Sequence, residues 1–422
     1  MNQEFILFSI RFAAFYFVFI SIMYAILIYL SWLSTKRFKK QKFNESKNGV
    51  SFIIPLFNEE SLVVETIQTY SKIQVQKEII LVNDGSSDHS LSLILNMFQM
   101  KKLDNEFYQS ITFPDLKLLN LPHSGKAKAL NLGIEKSQFE FICTMDADTI
   151  PNADGVHQAV HIMETNKKVM ALGGVIHIIK EPTLLNFLQR LEYLRTFICE
   201  RLGWSVLGAT TLISGAFCFF RKSGWKKING FREDSITEDL DFIIRLRKEY
   251  KKSDFPIIPI STCQTQVPRT FSHLKSQRIR WHVGLLETLK QNFSLCFNPS
   301  YGSFSMLGLS YLLFIEALSP ILQVLMWFCI PYAVIQGWLP LDIVLLYLSI
   351  GLIFSVILTL LGLGLDSSFK ENPIKTILGT LTLSLGYKQL TGIWRFFGIF
   401  KMLFSKRIWG SKPRYEIPET SL

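Results

Sequence analysis

The chain has 422 residues, 49% of them hydrophobic, with 45 Lys and Arg against 34 Asp and Glu and a formal net charge of +11. That length exceeds one ordinary domain, and the apolar excess is uneven, lying before residue 34 and after residue 303. Many basic residues adjoin those apolar blocks, which fits contact with a membrane surface better than a basic patch on nucleic acid. Six cysteines are scattered without C-x-x-C or zinc-type spacing, as expected of buried thiols in a reducing compartment.

Residues 12–33 carry no charge and are long enough to span a bilayer. The run is too long for a signal peptide. Lys36, Arg37, Lys39, Lys40 and Lys42 follow it, so the positive-inside rule places that side in the cytoplasm. Residues 1–35 are read as a membrane anchor, and a globular block of about 250 residues from 48 to 300 can bury a full core. Val50–Pro55 predicts a strand, 59–72 a helix and Glu78–Val82 a second strand that ends in Asn83-Asp84-Gly85. A helix from Ser90, a strand at Leu116–Leu119, a helix over Lys126–Lys136 and a strand at Phe141–Met145 follow. Strands alternating with helices at this spacing predict a parallel sheet with crossovers. Residues 183–207 are amphipathic and basic, fitting a membrane surface or packing on the domain. Ser214–Phe220 reads as a buried strand entered through a glycine turn.

The apolar pattern returns over 304–400. Residues 304–335 hold one charge, Glu316, and a mid-run Pro320; residues 343–365 are uncharged; residues 376–400 are interrupted by Lys388 and Arg395. The first two read as spans and the third as re-entrant or interfacial, because a basic tail over 401–422 favours a cytoplasmic end.

Four acidic or acid-centred sites stand out. Asp84 closes a strand, where it serves a turn or accepts from a nucleoside. Asp146 and Asp148 follow the 141–145 strand one residue apart; that arrangement serves turn geometry or brings two carboxylates to one divalent cation. Thr237-Glu238-Asp239 opens a helix. Thr is a good cap and first-turn acids suit the helix dipole; a carboxylate there can equally take a proton from an attacking hydroxyl. Gln277, Arg280 and Trp281 fall at i, i+3 and i+4 on one helix face. Arginine suits a diphosphate and an indole suits a sugar ring, while a basic aromatic helix also suits a membrane interface.

Taken in this order, with apolar blocks on both sides, these motifs resemble the processive membrane glycosyltransferases of family 2, such as the synthases of cellulose, chitin, hyaluronan and poly-N-acetylglucosamine. The likeness covers residues 50–290 by motif, and the Q-x-x-R-W element is its most discriminating part. It implies an α/β, GT-A-type (Rossmann-like) domain flanked by transmembrane helices in the cell membrane. Asp84, with Pro55, Asn58 and Glu59, would hold the nucleoside of a UDP-sugar, and Lys126 in Gly125-Lys-Ala-Lys-Ala-Leu-Asn131 would contact the nucleotide. Asp146 and Asp148 would place Mg²⁺ or Mn²⁺ on the diphosphate. Asp239 would be the base. Gln277 and Arg280 would bind diphosphate, Trp281 would stack on the acceptor, and Ser214, Gly215 and Glu238 would line that side. The tail motif from Trp409 to Arg414 resembles a late family segment and carries no assigned role. The resemblance implies inverting transfer to a growing glycan with export across the bilayer, helped by a homodimer or a small partner subunit. Transfer of one sugar to a lipid acceptor, or an inactive nucleotide-sugar-binding scaffold, are the alternatives.

Overall fold

The computed structural model describes residues 3–41, 48–60, 63–104, 106–366 and 368–404. Lys42 and the tail over 405–422, with Trp409 and Arg414, lie outside them. Ten strands form the sheet: β1 (Val50–Leu56), β2 (Lys77–Asp84), β3 (Met100–Lys102), β4 (Phe107–Ser110), β5 (Leu116–Leu121), β6 (Phe141–Thr144), β7 (Ile150–Pro151), β8 (Ala171–Ile178), β9 (Cys218–Arg221) and β10 (Ile257–Thr265). Their order is β3-β4-β5-β2-β1-β6-β9-β8-β10-β7.

The central strands β5, β2, β1 and β6 run parallel. They read as continuous apolar runs because helices cover both faces, and Phe52, Ile53, Ile79, Ile80, Leu81 and Val82 are fully buried. The helix Lys126–Lys136 lies flush on them: a Cβ at Gly133 would stand 2.7 Å from Ile53 and 2.8 Å from Val82. Their three crossovers bring all four strand ends to one edge, where the polar residues gather.

The sheet is mixed, not wholly parallel as the alternation predicts. β9 runs antiparallel to β6 and β8, and β3 and β4 add an antiparallel hairpin on β5. The expected strand from Ser214 begins only at Cys218, because Phe217 N donates to Ser214 O at 3.0 Å and closes a turn. β8 was hidden by Gly173 and Gly174. Glycine is needed there, since a Cβ at Gly174 would overlap the Thr262 side chain. β10 was hidden by Pro259 and by register shifts against β8.

Three helices among the described residues are long and apolar enough to cross a membrane: Gln3–Phe38, Phe304–Ile335 and Leu341–Leu365. Pro320 sits at the first turn of the helix Ser319–Ile335, where its missing N–H costs nothing; π-helical turns at Phe304–Leu309 and Leu312–Ala317 precede it. The third apolar segment forms helices Pro373–Thr382 and Lys388–Phe404 about a π turn at Leu383–Tyr387. It packs along the helix Phe271–Gln291, where a Cβ at Gly398 would stand 3.4 Å from His282. Residues 184–206 pack on the domain and on the apolar helices together: Phe187, Leu191 and Leu194 are buried, a Cβ at Gly362 would meet Cys199 at 2.9 Å, and one at Gly203 would meet Leu27 O at 2.5 Å. All six cysteines are free and buried.

Candidate active site

The first wall is built from the ends of β1 and β2. Asn58 adopts a left-handed conformation, φ 58°, which aims its side chain at the next loop. Its Oδ1 accepts from Ser87 N at 2.8 Å, and its own N–H donates to Ser86 Oγ at 3.1 Å. Glu59 N donates to Ser90 Oγ at 2.9 Å. Pro55 is a half-buried member of β1.

Asp84 is buried and fully engaged. Its Oδ1 accepts from Ser124 N at 2.6 Å and Ser124 Oγ at 3.0 Å, and its Oδ2 accepts from Gly125 N at 2.8 Å. It thereby fixes the turn that launches the helix beginning at Lys126. Gly85 (φ +71°) must be glycine, as a Cβ would come within 2.5 Å of His123 N. His123 stands beside Phe57 with ring centroids 4.5 Å apart, and Phe57 is 45% exposed. No motif in the sequence marks this aromatic pair, whose rings are tilted by 34°, although Phe57 directly precedes Asn58.

The acidic centre joins three elements. The Lys126 ammonium lies 2.6 Å from Asp146 Oδ1 and 3.1 Å from Glu238 Oε1. Crowding by the surrounding site would depress that half-exposed ammonium, but Asp146 and Glu238 hold it above its ordinary value. Asp148 Oδ1 accepts from Thr149 Oγ1 and Thr265 Oγ1. Burial and then Asp146 push its carboxyl up to about 6. Glu59 is pushed up to about 7 by burial and then by Asp148, Asp146 and Asp88. Asp239 Oδ2 accepts from Gly215 N at 3.1 Å and its Oδ1 accepts from Leu240 N at 2.8 Å. Burial, then Glu238, raise its carboxyl above the usual range. Gly215 faces both groups: a Cβ there would stand 3.5 Å from Lys126 Nζ and 3.6 Å from Asp239 Oδ2. Ser214 forms the turn beside it.

Thr237 is the N-cap residue of the helix Glu238–Glu249 but its side chain makes no cap. Its hydroxyl lies 3.5 Å from Thr288 Oγ1 instead, and a Cβ at Gly284 would meet its methyl at 2.4 Å. Gln277, Trp281, Gly284 and Thr288 share one face of the helix Phe271–Gln291, so docking the last two on Thr237 directs the first two along the same side. Arg278 stacks on Trp281, 4.8 Å from the ring centre, and pairs with Glu192 at 2.7 Å. Gln277 and Arg280 make no hydrogen bond or ion pair among the described residues.

A GT-A glycosyltransferase domain flanked by apolar helices is the class that this sheet and edge define. A mannosyltransferase from Pyrobaculum calidifontis, solved in complex with GDP-Man and Mn²⁺, shares the fold with TM-score 0.59 at 18% identity, over 91% of this chain and 99% of that one. The family model for Glycosyl transferase family 2 matches residues 51–228, and that for Glycosyl transferase family group 2 matches residues 141–363. A poly-beta-1,6-N-acetyl-D-glucosamine synthase from Staphylococcus epidermidis is 31% identical over 290 residues, 67% of each chain. One from Staphylococcus aureus (strain COL) is 30% identical over 289 residues, again 67% of each. The chain belongs to glycosyltransferase family 2, among its synthase-type members, and is a membrane-associated glycosyltransferase.

Proposed function

We propose that this enzyme transfers a hexose or N-acetylhexosamine, N-acetylglucosamine first among them, from a UDP-sugar to a growing polysaccharide with inversion. The observation that carries the reading is the meeting of Asp146, Lys126, Glu238, Gly215 and Asp239 within hydrogen-bond or van der Waals reach. The synthase relatives support the polymeric product and the amino sugar.

The acidic edge fits a divalent cation. Asp146, Glu238 and Asp239 all face the Lys126 ammonium, and Asp148 and Glu59 stand beside Asp146, so the edge gathers more carboxylates than that one ammonium neutralises. Among the described residues no group of three or more His, Cys, Asp or Glu side chains is placed to hold an ion. Asp146 and Asp148 would therefore supply part of a coordination shell that diphosphate oxygens complete, as Mg²⁺ and Mn²⁺ allow. Such an ion, when bound, neutralises the leaving diphosphate. The chain's own residues do the rest. Asn58, Glu59 and the loop fixed by Asp84 border the nucleoside. Lys126 and Arg280 place positive charge where the leaving group develops its own negative charge. Asp239 takes the proton of the acceptor hydroxyl as that oxygen attacks the anomeric carbon opposite UDP. Trp281 offers the acceptor a stacking face.

The basic run from Lys36 to Lys40 supports a cytoplasmic catalytic domain. Two C-terminal spans then return the chain to that same side, in keeping with the contacts that residues 366–404 make with the domain. A channel for the product would draw on these helices together with a second copy or a small partner subunit.

The test is UDP release by the purified protein with Mg²⁺ or Mn²⁺ across a panel of UDP-sugars, beside Asp239→Asn. Turnover on one sugar, lowered about 10²- to 10⁴-fold in the variant, establishes the transfer and names the donor. Sizing the product separates polymer from single transfer. Absence of UDP binding overturns the nucleotide site.

A further inference from the structure

We propose that the corner after the membrane helix Leu341–Leu365 is a binding site for an anionic phospholipid. A cavity of about 840 Å³ opens there, walled by Leu360 and Leu363 from the helix end, by Phe369, Lys370 and Glu371 from the connecting loop, and by Lys180 beyond β8. The loop is built into the domain. Asp366 Oδ2 lies 2.6 Å from His177 Nε2, Glu371 pairs with Arg190 at 2.5 Å and Lys180 at 2.8 Å, and Arg190 stacks on Phe369 at 4.7 Å.

The charge is one-sided. Glu371 alone faces Lys180, Arg190 and Lys375, and Lys370, exposed at the mouth, has no ion pair among the described residues. Beyond Asn372 a second groove of about 470 Å³, mostly apolar, runs between Leu184, Phe187 and Leu378. Lys375 lies over the Phe187 ring there, 4.6 Å from its centre. Apolar walls continuous with a membrane helix, ending at lysines level with the headgroups, match a ligand that is acyl chain at one end and phosphate at the other. A soluble phosphate would use the lysines and make no use of the apolar wall of Leu360 and Leu363; a zwitterionic lipid would bring its own cation to a site that has too many. The inference rests on reading Leu341–Leu365 as a span and is independent of the catalytic assignments.

The full-length protein is purified in detergent, and retained phosphatidylglycerol and phosphatidylcholine are compared by native mass spectrometry, a readout that needs no turnover. The expected result is preference for phosphatidylglycerol, lowered about ten-fold by Lys370→Glu, whose exposed position spares the fold. Leu363→Trp, which crowds the apolar wall of the cavity, should lower retention of phosphatidylglycerol as well, with thermal unfolding measured beside it because Leu363 also packs on the core. Equal retention of the two lipids overturns the proposal, as does a Lys370→Glu variant that binds as before. Displacement of the lipid by glycerol phosphate would show a soluble-phosphate site instead, and a dimer whose contact excludes lipid would show a protein interface.

Discussion

Lys126 Nζ lies 2.6 Å from Asp146 Oδ1, and the same ammonium reaches Glu238 at 3.1 Å. One cation therefore ties the strand end that carries Asp-Ala-Asp to the helix that carries Glu238 and Asp239. Lys126→Met removes the charge and keeps the stem. The expected result is a fall in kcat/KM for the donor of about 10²-fold. Thermal stability should change little, since Lys126 is 40% exposed and such pairs contribute weakly to folding. An unchanged kcat/KM would remove Lys126 from the site.

The pH dependence of turnover follows from Asp239. Its carboxyl is raised by burial and then by Glu238. A general base works only when ionised, so turnover is full above the Asp239 pKa and is lost as pH falls through it. The acid limb should lie above the ordinary carboxylate range. Glu238→Gln removes the neighbouring negative charge, favours the ionised form and moves that limb to lower pH. A limb that stays in place under this substitution would assign it to another group.

Gly215→Ala separates space from charge. The added methyl would stand 3.5 Å from Lys126 Nζ and 3.6 Å from Asp239 Oδ2, ordinary van der Waals contact, so the fold should tolerate it. It would occupy the gap through which an acceptor hydroxyl approaches the base. Turnover should fall more than tenfold, since an ångström of misplacement is worth that much, while donor binding by equilibrium titration stays as it was.

Much of this arrangement is legible in the sequence because the central strands obey one rule. Val50–Leu56 and Lys77–Asp84 are buried on both faces, so their apolar runs stop where the chain leaves the sheet, and the first polar residues mark the site edge. The edge strands obey no such rule: Met100–Lys102 is a partly exposed strand with two lysines, and β8 keeps its two glycines for Thr262 and Ile213. Two functions of side chains were also out of reach. The Asp84 oxygens are occupied by the 124–125 turn, and Thr237 packs against another helix where its sequence position suggests a cap. Both depend on partners 40 or more positions away, which local patterning does not encode.

That second contact makes a test by complementation. A Cβ at Gly284 would meet the Thr237 methyl at 2.4 Å and its hydroxyl at 2.6 Å. Gly284→Ala should therefore push the Gln277–Trp281 helix off the Glu238–Asp239 helix, at a cost of about 1–3 kcal/mol, and lower activity without touching a reacting group. Thr237→Ala removes both clashing atoms. The double variant should recover part of the lost stability and activity. Additive losses would show that the two helices do not couple through this contact.

Arg395 gives the same coupling toward the membrane. Its guanidinium donates to Glu316 Oε2 at 2.8 Å and to the Glu316 carbonyl, and its Nε donates to His282 Nδ1 at 3.5 Å. Burial and then Arg395 press His282 down to about 3, so the imidazole is neutral at pH 7 and able to accept. Glu316 belongs to an apolar helix and His282 lies one residue past Trp281, so Arg395 fastens the two. The pair is partly exposed, 26% and 32%, and Arg395→Gln or Glu316→Gln should each cost about 1–2 kcal/mol, between surface and buried pairs. The double variant should lose less than the sum of the two singles, because the shared ion pair is broken only once, while the bonds from Arg395 to the Glu316 carbonyl and His282 and from Tyr311 to Glu316 belong to one partner each. Thermal unfolding in detergent measures this. Turnover should fall in parallel if the membrane helices set the position of Trp281; full activity in a destabilised Arg395→Gln protein would confine the contact to stability.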